Sequence, residues 1–303
     1  MPELPEVETI RRGLERHIVG KAIVGVELRF EKIFSGKVED VIGAKIMSIR
    51  RFGKGLVIDL SNGFSITAHV KMTGQFVYFG EDRKNFHPNL SLPTDLPNKH
   101  THVIFTLNSP AERHAGKPEA HPGSDPGQDR LTKGFLFYND IRKFGWLKVV
   151  KTDEVFRQPF FKGLGPEPFS TLTLPLFKKI VLKSSLPIKI LLMDQRKMSG
   201  IGNIYANDAL YASRIDPRRK GNELTKLEQK GLYTAVLEVL TKGLELGGAS
   251  ENTYIQVDGG KGSYQDHFLV YGKNGKKCPR CGNLIERIKQ GGRSTFYCPT
   301  CQS

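Results

Sequence analysis

Near the start of the chain, apolar residues recur every three or four positions. Val7, Ile10, Leu14 and Ile18 fall on one face and the charges fall elsewhere. Pro5 suits a first helical turn, so residues 5–19 are predicted as an amphipathic helix. From residue 20 to about 80 the period shortens. AIVGVELRF, KIMSIRRF, LVIDL, FSITAHV and QFVYFG are short, apolar and β-branched, with Gly, Asn and Ser between them, which predicts strands and tight turns. HVIFTL (102–107), GFLFYN (134–139) and GWLKVV (145–150) extend the set. Residues 1–150 are therefore expected to form a β-sandwich or barrel carrying an N-terminal helix. Segment 108–133 interrupts this pattern with Pro, Gly and charge, and is expected as a mobile surface loop inserted between two paired strands. Its His114 and His121 are read as solvated rather than metal-binding. Residues 151–171, with GLGPEP, read as a linker. LPLFKKIVLKS, PIKILLMDQRK, NIYANDALYAS and TKLEQKGLYTAVLEVLTKGLELGG then predict four helices within 172–257. A glycine-rich segment, DGGKGSYQDH, and a cysteine module occupy 258–303.

Length and composition narrow the class. A chain of 303 residues suits about two domains and a sizeable core. With 38% hydrophobic and 25% charged residues, wholesale disorder is excluded. No apolar run approaches the ~20 residues of a membrane helix, and MPELPEVETIRRG lacks the features of a secretory signal. Lys and Arg total 46 against 31 Asp and Glu, a net charge of +15. That balance points to a polyanion, either nucleic acid or an anionic membrane surface, although solubility alone also accounts for it.

All four cysteines lie at the end of the chain. Cys278-x2-Cys281 and Cys298-x2-Cys301 have the spacing of a four-cysteine zinc ribbon, a closed and hence structural site. Their scarcity elsewhere argues against a disulfide scaffold and for a reducing compartment. Between the pairs, LIERIKQGGRSTFY predicts a β-hairpin turning at Gly291-Gly292, with Arg293 beside its tip and Lys289 nearby, placed to enter a DNA groove or hold phosphate. In MSGIGNIYAN, Gly200 and Gly202 break one helix and Asn203 caps the next. Glycines before a helix start expose N–H groups that suit phosphate, with Lys189 adding charge. At the N-terminus, removal of Met1 would leave Pro2 as a free secondary amine with a pKa near 8. Glu3 and Glu6 follow as candidate proton carriers, or as plain complements to the helix dipole.

MPELPEVETIRRGL, HVKMTG, YNDIRKFG, LGPEP, PIKILLMDQRKMSGIGNIYANDAL and CPRCG…RSTFYCPTCQ together resemble the bacterial formamidopyrimidine-DNA glycosylase family, in its order and over nearly the whole chain. The resemblance implies an α+β multidomain fold. An N-terminal helix and antiparallel β-sandwich are followed by a helix-two-turn-helix domain with a β-hairpin zinc finger. It implies a bifunctional glycosylase and lyase of base-excision repair, acting on oxidised purines in damaged double-stranded DNA, with one structural Zn2+. The expected state is a cytoplasmic, nucleoid-associated monomer with no membrane partner. By the same resemblance, Pro2 is the nucleophile, Glu3 the general acid and base, and Glu6 and Lys54 belong to the catalytic set. Met72, Arg142 and Phe144 fill the void left by a flipped base. Lys54, Lys189, Asn203 and Arg293 contact phosphate. Tyr271 and the 258–267 loop border the lesion pocket. The leucine of PELPE favours purine over pyrimidine lesions, whereas the 108–133 insertion departs from the family pattern.

Three other readings remain at this point. A relative of the same fold acting on oxidised pyrimidines would differ at the 258–267 loop. A catalytically dead DNA-binding protein would not need Pro2, Glu3 and Lys54. An RNA-associated zinc-ribbon protein would leave the N-terminal motif unexplained.

Overall fold

The computed structural model describes residues 1–80, 96–109, 132–251 and 253–303. Helix α1 spans Leu4–Ile18 and buries Val7, Ile10, Leu14 and Ile18, the stripe that the periodicity marks. It lies against a sandwich of two sheets. Strands β1 (Ala22–Leu28), β6 (Gly74–Phe79), β7 (Thr101–Ser109) and β8 (Thr132–Asp140) form the first, in the order β1-β7-β8-β6. Strands β2 (Phe34–Ser35), β3 (Ile46–Phe52), β4 (Gly55–Leu60), β5 (Phe64–His69) and β9 (Trp146–Lys151) form the second, in the order β2-β9-β5-β4-β3. Pairing is antiparallel except between β2 and β9, a two-residue parallel contact. Phe76, Phe105 and Tyr138 from one sheet meet Ile58, Ile66 and Leu147 from the other in a single core. Alternating apolar positions on short strands produce this arrangement, since each sheet has one face to bury.

Strands β7 and β8 pair in register from Thr101 with Asn139 to Ser109 with Thr132. Most of the inserted segment, including His114 and His121, lies outside the described residues.

The second half is helical: α3 (Leu174–Leu182), α4 (Ile188–Met193), α5 (Asn203–Ala212) and α6 (Lys226–Glu245), around a core that includes Phe177, Leu191, Leu210 and Val236. Helix α4 is shorter than predicted. Asp194 ends it, its carbonyl accepting from Lys197 and Met198 N–H, and Gln195 turns its amide onto the Met193 and Ile201 carbonyls. The polar run DQRK is thus a turn, not a helical face.

The stretch read as a linker holds a 3-10 turn, Thr152–Arg157, and α2 (Pro159–Lys162). Phe161 joins Val57, Val150 and Val155 in a small cluster on the second sheet. Beyond it Glu167 closes an ion-pair network. Arg51 on β3 donates to Glu167 at 2.6 and 2.8 Å and to Glu8 on α1 at 3.0 Å. Glu167 also accepts the Gly53 N–H at 2.5 Å, fixing the turn that carries Lys54. Arg51, Glu8 and Glu167 side chains are only 10–13% exposed, so this network resists screening better than a surface pair. Glu167→Ala should lower the unfolding free energy by about 3 kcal/mol, the cost of leaving a nearly buried charge short of a partner. Glu15→Ala, at an exposed pair with Arg11, should cost under about 1 kcal/mol. Urea unfolding of the two variants checks the contrast.

Candidate active site

The start of α1 lies on the turn before α5. The Leu4 N–H donates to the Gly200 carbonyl at 3.0 Å. The Glu3 side chain is 3% exposed and spans the junction of the two halves. Its Oε1 accepts the Ile204 N–H at 2.9 Å and its Oε2 the Tyr205 N–H at 3.4 Å. These groups open α5, where no intrahelical carbonyl can reach them and the dipole favours an anion. Gly202 has to lack a side chain, because a Cβ there would collide with the Glu3 carboxylate. Two expectations are corrected here. The helix start read as a phosphate site holds Glu3, and Gly202 rather than Asn203 occupies the cap position.

Glu6 supports this arrangement from one turn along α1. Its Oε2 accepts the Glu3 N–H at 2.7 Å, and its Oε1 accepts from Tyr205 Oη and from the Ala249 N–H, both at 2.8 Å. Burial pushes the Glu6 carboxyl above the ordinary carboxylate range, and the Glu3 charge adds to the shift.

A cavity of about 540 Å³ opens above these groups. Pro2, Glu3, Glu6, Lys54, Met72, Arg142, Asn203, Tyr271 and Arg293 all line it. Lys54 is 4% exposed, and burial pushes its ammonium down while the Glu3 and Glu6 charges oppose the shift. Arg142 Nη1 donates to Met72 Sδ at 3.0 Å, and its guanidinium lies 4.8 Å from the centre of the Phe144 ring. Phe144 stands beside the cavity with 54% of its surface exposed. Sequence reasoning missed Thr73, Gln195, Glu251, Thr253 and Tyr254, which also line the cavity. Gln195, which holds the Gly200 turn by accepting its N–H at 2.9 Å, lies inside a motif the sequence does display.

Two further expectations are corrected. Lys189 is fully buried, and its ammonium donates to the Ser294 carbonyl at 2.8 Å and to Thr295 Oγ1 at 2.7 Å. It braces the hairpin from behind and has no exposed surface for a phosphate. Residues 258–267 do not line the main cavity; Ala249, Glu251, Thr253, Tyr254 and Tyr271 do. Asp258 and Ser263 instead line a second cavity, of about 360 Å³, against Arg12, Arg16 and His17 of α1.

The hairpin comprises β10 (Glu286–Gln290) and β11 (Arg293–Tyr297), turning at Gly291-Gly292 and presenting Arg293 to the cavity. At its base the four cysteine sulfurs lie within 4.8 Å of one another. Cys278 and Cys301 are 3.9 Å apart, and Cys281 and Cys298 3.5 Å. A tetrahedral ion with Zn–S bonds of about 2.3 Å needs sulfurs roughly 3.8 Å apart, so the cluster fits zinc.

Three family models match in sequence. The formamidopyrimidine-DNA glycosylase N-terminal domain covers residues 1–147, its H2TH domain 164–254, and the zinc finger found in FPG and IleRS 275–303. The chain belongs to the formamidopyrimidine-DNA glycosylase family. A formamidopyrimidine-DNA glycosylase of Desulfitobacterium hafniense is 38% identical over 311 aligned residues, covering both chains in full. Wild-type Lactococcus lactis Fpg (MutM), solved with DNA containing N7-benzyl-Fapy-dG, superposes with a TM-score of 0.80 at 32% identity, over 99% of each chain. MutM solved with DNA containing carbocyclic 8-oxo-G gives the same TM-score, identity and coverage. The fold expected from the resemblance is therefore met, and the cysteine cluster is the family's structural zinc site.

His69, at the end of β5, was not singled out from the sequence. Its Nδ1 accepts the Lys71 N–H at 2.9 Å and its ring packs edge-on to Phe160. Burial pushes the imidazole down to about 3, and the Lys71 and Lys54 charges add to the shift. The native ring is neutral, whereas the unfolded one titrates near 6.5. Between those values the unfolded state binds the extra proton, so stability is complete above pH 6.5 and falls as pH drops toward 3. His69→Gln should flatten that part of the stability–pH curve. Denaturant melts at pH 7 and pH 4.5 check it.

Proposed function

We propose that this chain excises 8-oxoguanine and formamidopyrimidines from duplex DNA and nicks the resulting abasic site, with Pro2 as the covalent nucleophile. The observation that carries the reading is the placement of Pro2 and Glu3 together in a cavity also lined by Lys54, Arg142, Asn203 and Arg293. Met1 lines the same cavity, and its removal frees the Pro2 nitrogen there.

A base inside the stack cannot be reached, so it must be flipped. Met72 and Phe144 replace the lost stacking, and the Arg142 guanidinium donates to the orphaned cytosine. The neutral Pro2 amine attacks C1′, the C1′–N bond breaks, and the damaged base leaves with a proton. Glu3 carries protons to and from the sugar, held in place by the α5 N–H groups. Ring opening gives an iminium at C1′. Loss of a C2′ proton then expels the 3′ phosphate, and a second elimination expels the 5′ phosphate. Lys54, Asn203 and Arg293 hold the flanking phosphates. Zinc held by Cys278, Cys281, Cys298 and Cys301 would supply rigidity to the hairpin, and with four thiolate ligands it would have no open position for water or substrate. We take the protein to act as a monomer in the cytoplasm, on the nucleoid. Its net charge of +15 and its isolated thiol cluster support that setting. Among the described residues no helix is long and apolar enough to cross a membrane.

The test compares an 8-oxoguanine duplex with a preformed abasic duplex, each with borohydride trapping. An uncleaved N-terminal tag should abolish the trapped adduct on both. Glu3→Gln should largely stop base excision and still nick the abasic duplex, because the base has already left. Native-rate excision by Glu3→Gln, or an adduct with the blocked enzyme, would reject the assignment. Binding should also weaken with salt. Arg293→Ala should lower the log–log slope by about 0.9, the contribution of one phosphate contact. Fluorescence titrations at several salt concentrations measure it.

A further inference from the structure

Met72, Arg142 and Phe144 come from two separate connections, one after β5 and one after β8, and something must set them relative to each other. The Asp140 side chain is fully buried at the foot of the second connection. Its Oδ2 accepts the Gly145 N–H at 2.7 Å, where the loop ends. Its Oδ1 accepts the Arg142 N–H at 3.1 Å, where the loop begins. The same oxygen accepts the hydroxyl of Thr73, the residue after Met72. Thr73 Oγ1 in turn accepts the Arg142 N–H at 3.0 Å, closing a triangle. Asp140 is itself anchored. Its N–H donates to the His100 carbonyl at 2.9 Å, and its carbonyl lies 2.7 Å from His102 Nε2. The two connections are strained at matching places. Lys71 and Lys143, directly before Met72 and Phe144, have φ of 50° and 58°, a region that side-chain-bearing residues rarely occupy. Such backbone persists only where its surroundings over-determine it.

We propose that Asp140, through Thr73, is the positioning residue that sets Met72, Arg142 and Phe144 as one wedge before DNA binds. The proposal rests on the void-filling role given to those three residues above. One buried carboxylate ties both ends of the 141–145 loop to the Met72 connection. The wedge then enters the stack without first being ordered, and the Arg142 guanidinium meets the opposite base at a fixed height. A flexible abasic site needs little help to leave the stack, so its cleavage does not depend on this brace.

The experiment measures single-turnover rates on three duplexes: 8-oxoguanine opposite C, 8-oxoguanine opposite A, and a preformed abasic site opposite C. A 2-aminopurine beside the lesion reports unstacking. Asp140→Ala should slow excision opposite C by up to about 100-fold, the effect of a misplaced positioning group. It should also slow the 2-aminopurine rise and flatten the preference for C over A, with abasic cleavage kept at the native rate. Thr73→Val removes only the bridge between the connections. It should shift the same ratios by less, and it serves if Asp140→Ala does not fold. Phe144→Ala is the control for the wedge itself. If Phe144→Ala lowers the lesion-to-abasic ratio and neither Asp140→Ala nor Thr73→Val does, the positioning role is overturned. If Asp140→Ala slows all three duplexes alike, its role is only structural and the proposal also fails. If Phe144→Ala leaves the ratio unchanged, the wedge reading falls first and the proposal with it.

Discussion

The Glu3 carboxylate rests on the first backbone N–H groups of α5, two hydrogen bonds that join position 3 to positions 204 and 205. The rest of the site depends on this contact because α5 also organises the C-terminal half. Asn207 accepts the Phe296 N–H from β11 at 2.7 Å. Asp208 accepts the Val270 and Tyr271 N–H groups at 3.0 and 3.2 Å. At the far end of the helix, Tyr211 Oη lies 3.3 Å from Cys278 Sγ. One ten-residue helix thus registers Glu3 at its start, the hairpin and Tyr271 along its length, and the zinc site at its end. A rotation of α5 would disturb all of them together. Its near-complete burial, with little apolar-to-polar contrast between faces, is what a helix serving neighbours on every side requires.

Charge is distributed unevenly within this frame. The chain is strongly basic, yet the floor of the cavity is acidic, with Glu3 and Glu6 both buried beside Pro2. Arg142 and Arg293, both exposed, belong to the walls, while Lys54 is buried near the two carboxylates. A phosphodiester backbone is repelled by that floor and attracted to those walls. An extrahelical nucleotide therefore gains most when its phosphates stay at the walls and its uncharged sugar faces the proposed nucleophile. The two carboxylates also explain why a nearly buried Lys54 is tolerated, since their fields oppose the desolvation that pushes its ammonium down.

Much of the fold was legible because its determinants are local. The α1 stripe, the short apolar strands and the cysteine spacing each report on neighbours a few residues apart. The length of α4 was not legible. Whether DQRK continues a helix depends on Gln195 reaching the Ile201 carbonyl and the Gly200 N–H, contacts that no periodicity encodes. The same limit applies to the site. Glycines before a helix start do imply an anion, but not that the anion is Glu3, some two hundred residues away. A lysine in a basic chain reads as a phosphate ligand, and only packing shows the Lys189 ammonium turned onto Ser294 and Thr295. Asp140 stood in plain view within YNDIRKFG. Its contacts to Gly145 and Thr73 depend on the sharp turn after β8 and on β6 pairing with β8, so sequence alone did not single it out.

The two halves meet again at Thr253, which lines the cavity, and this joins the proposed wedge to the cavity wall. Thr253 Oγ1 donates to the Met72 carbonyl at 3.3 Å, and the Thr253 carbonyl accepts from Gln75 Nε2. Thr253 lies in the 249–254 stretch, whose Ala249 N–H donates to Glu6. Hydrogen bonds therefore tie Ala249 to Glu6, Thr253 to Met72, and Thr73 to Asp140. Groups linked through shared partners do not respond independently to substitution. A change that shifts Met72 also disturbs Thr253 in the wall of the cavity. On the proposed reading, opening the stack and shaping the pocket are coupled parts of one structure.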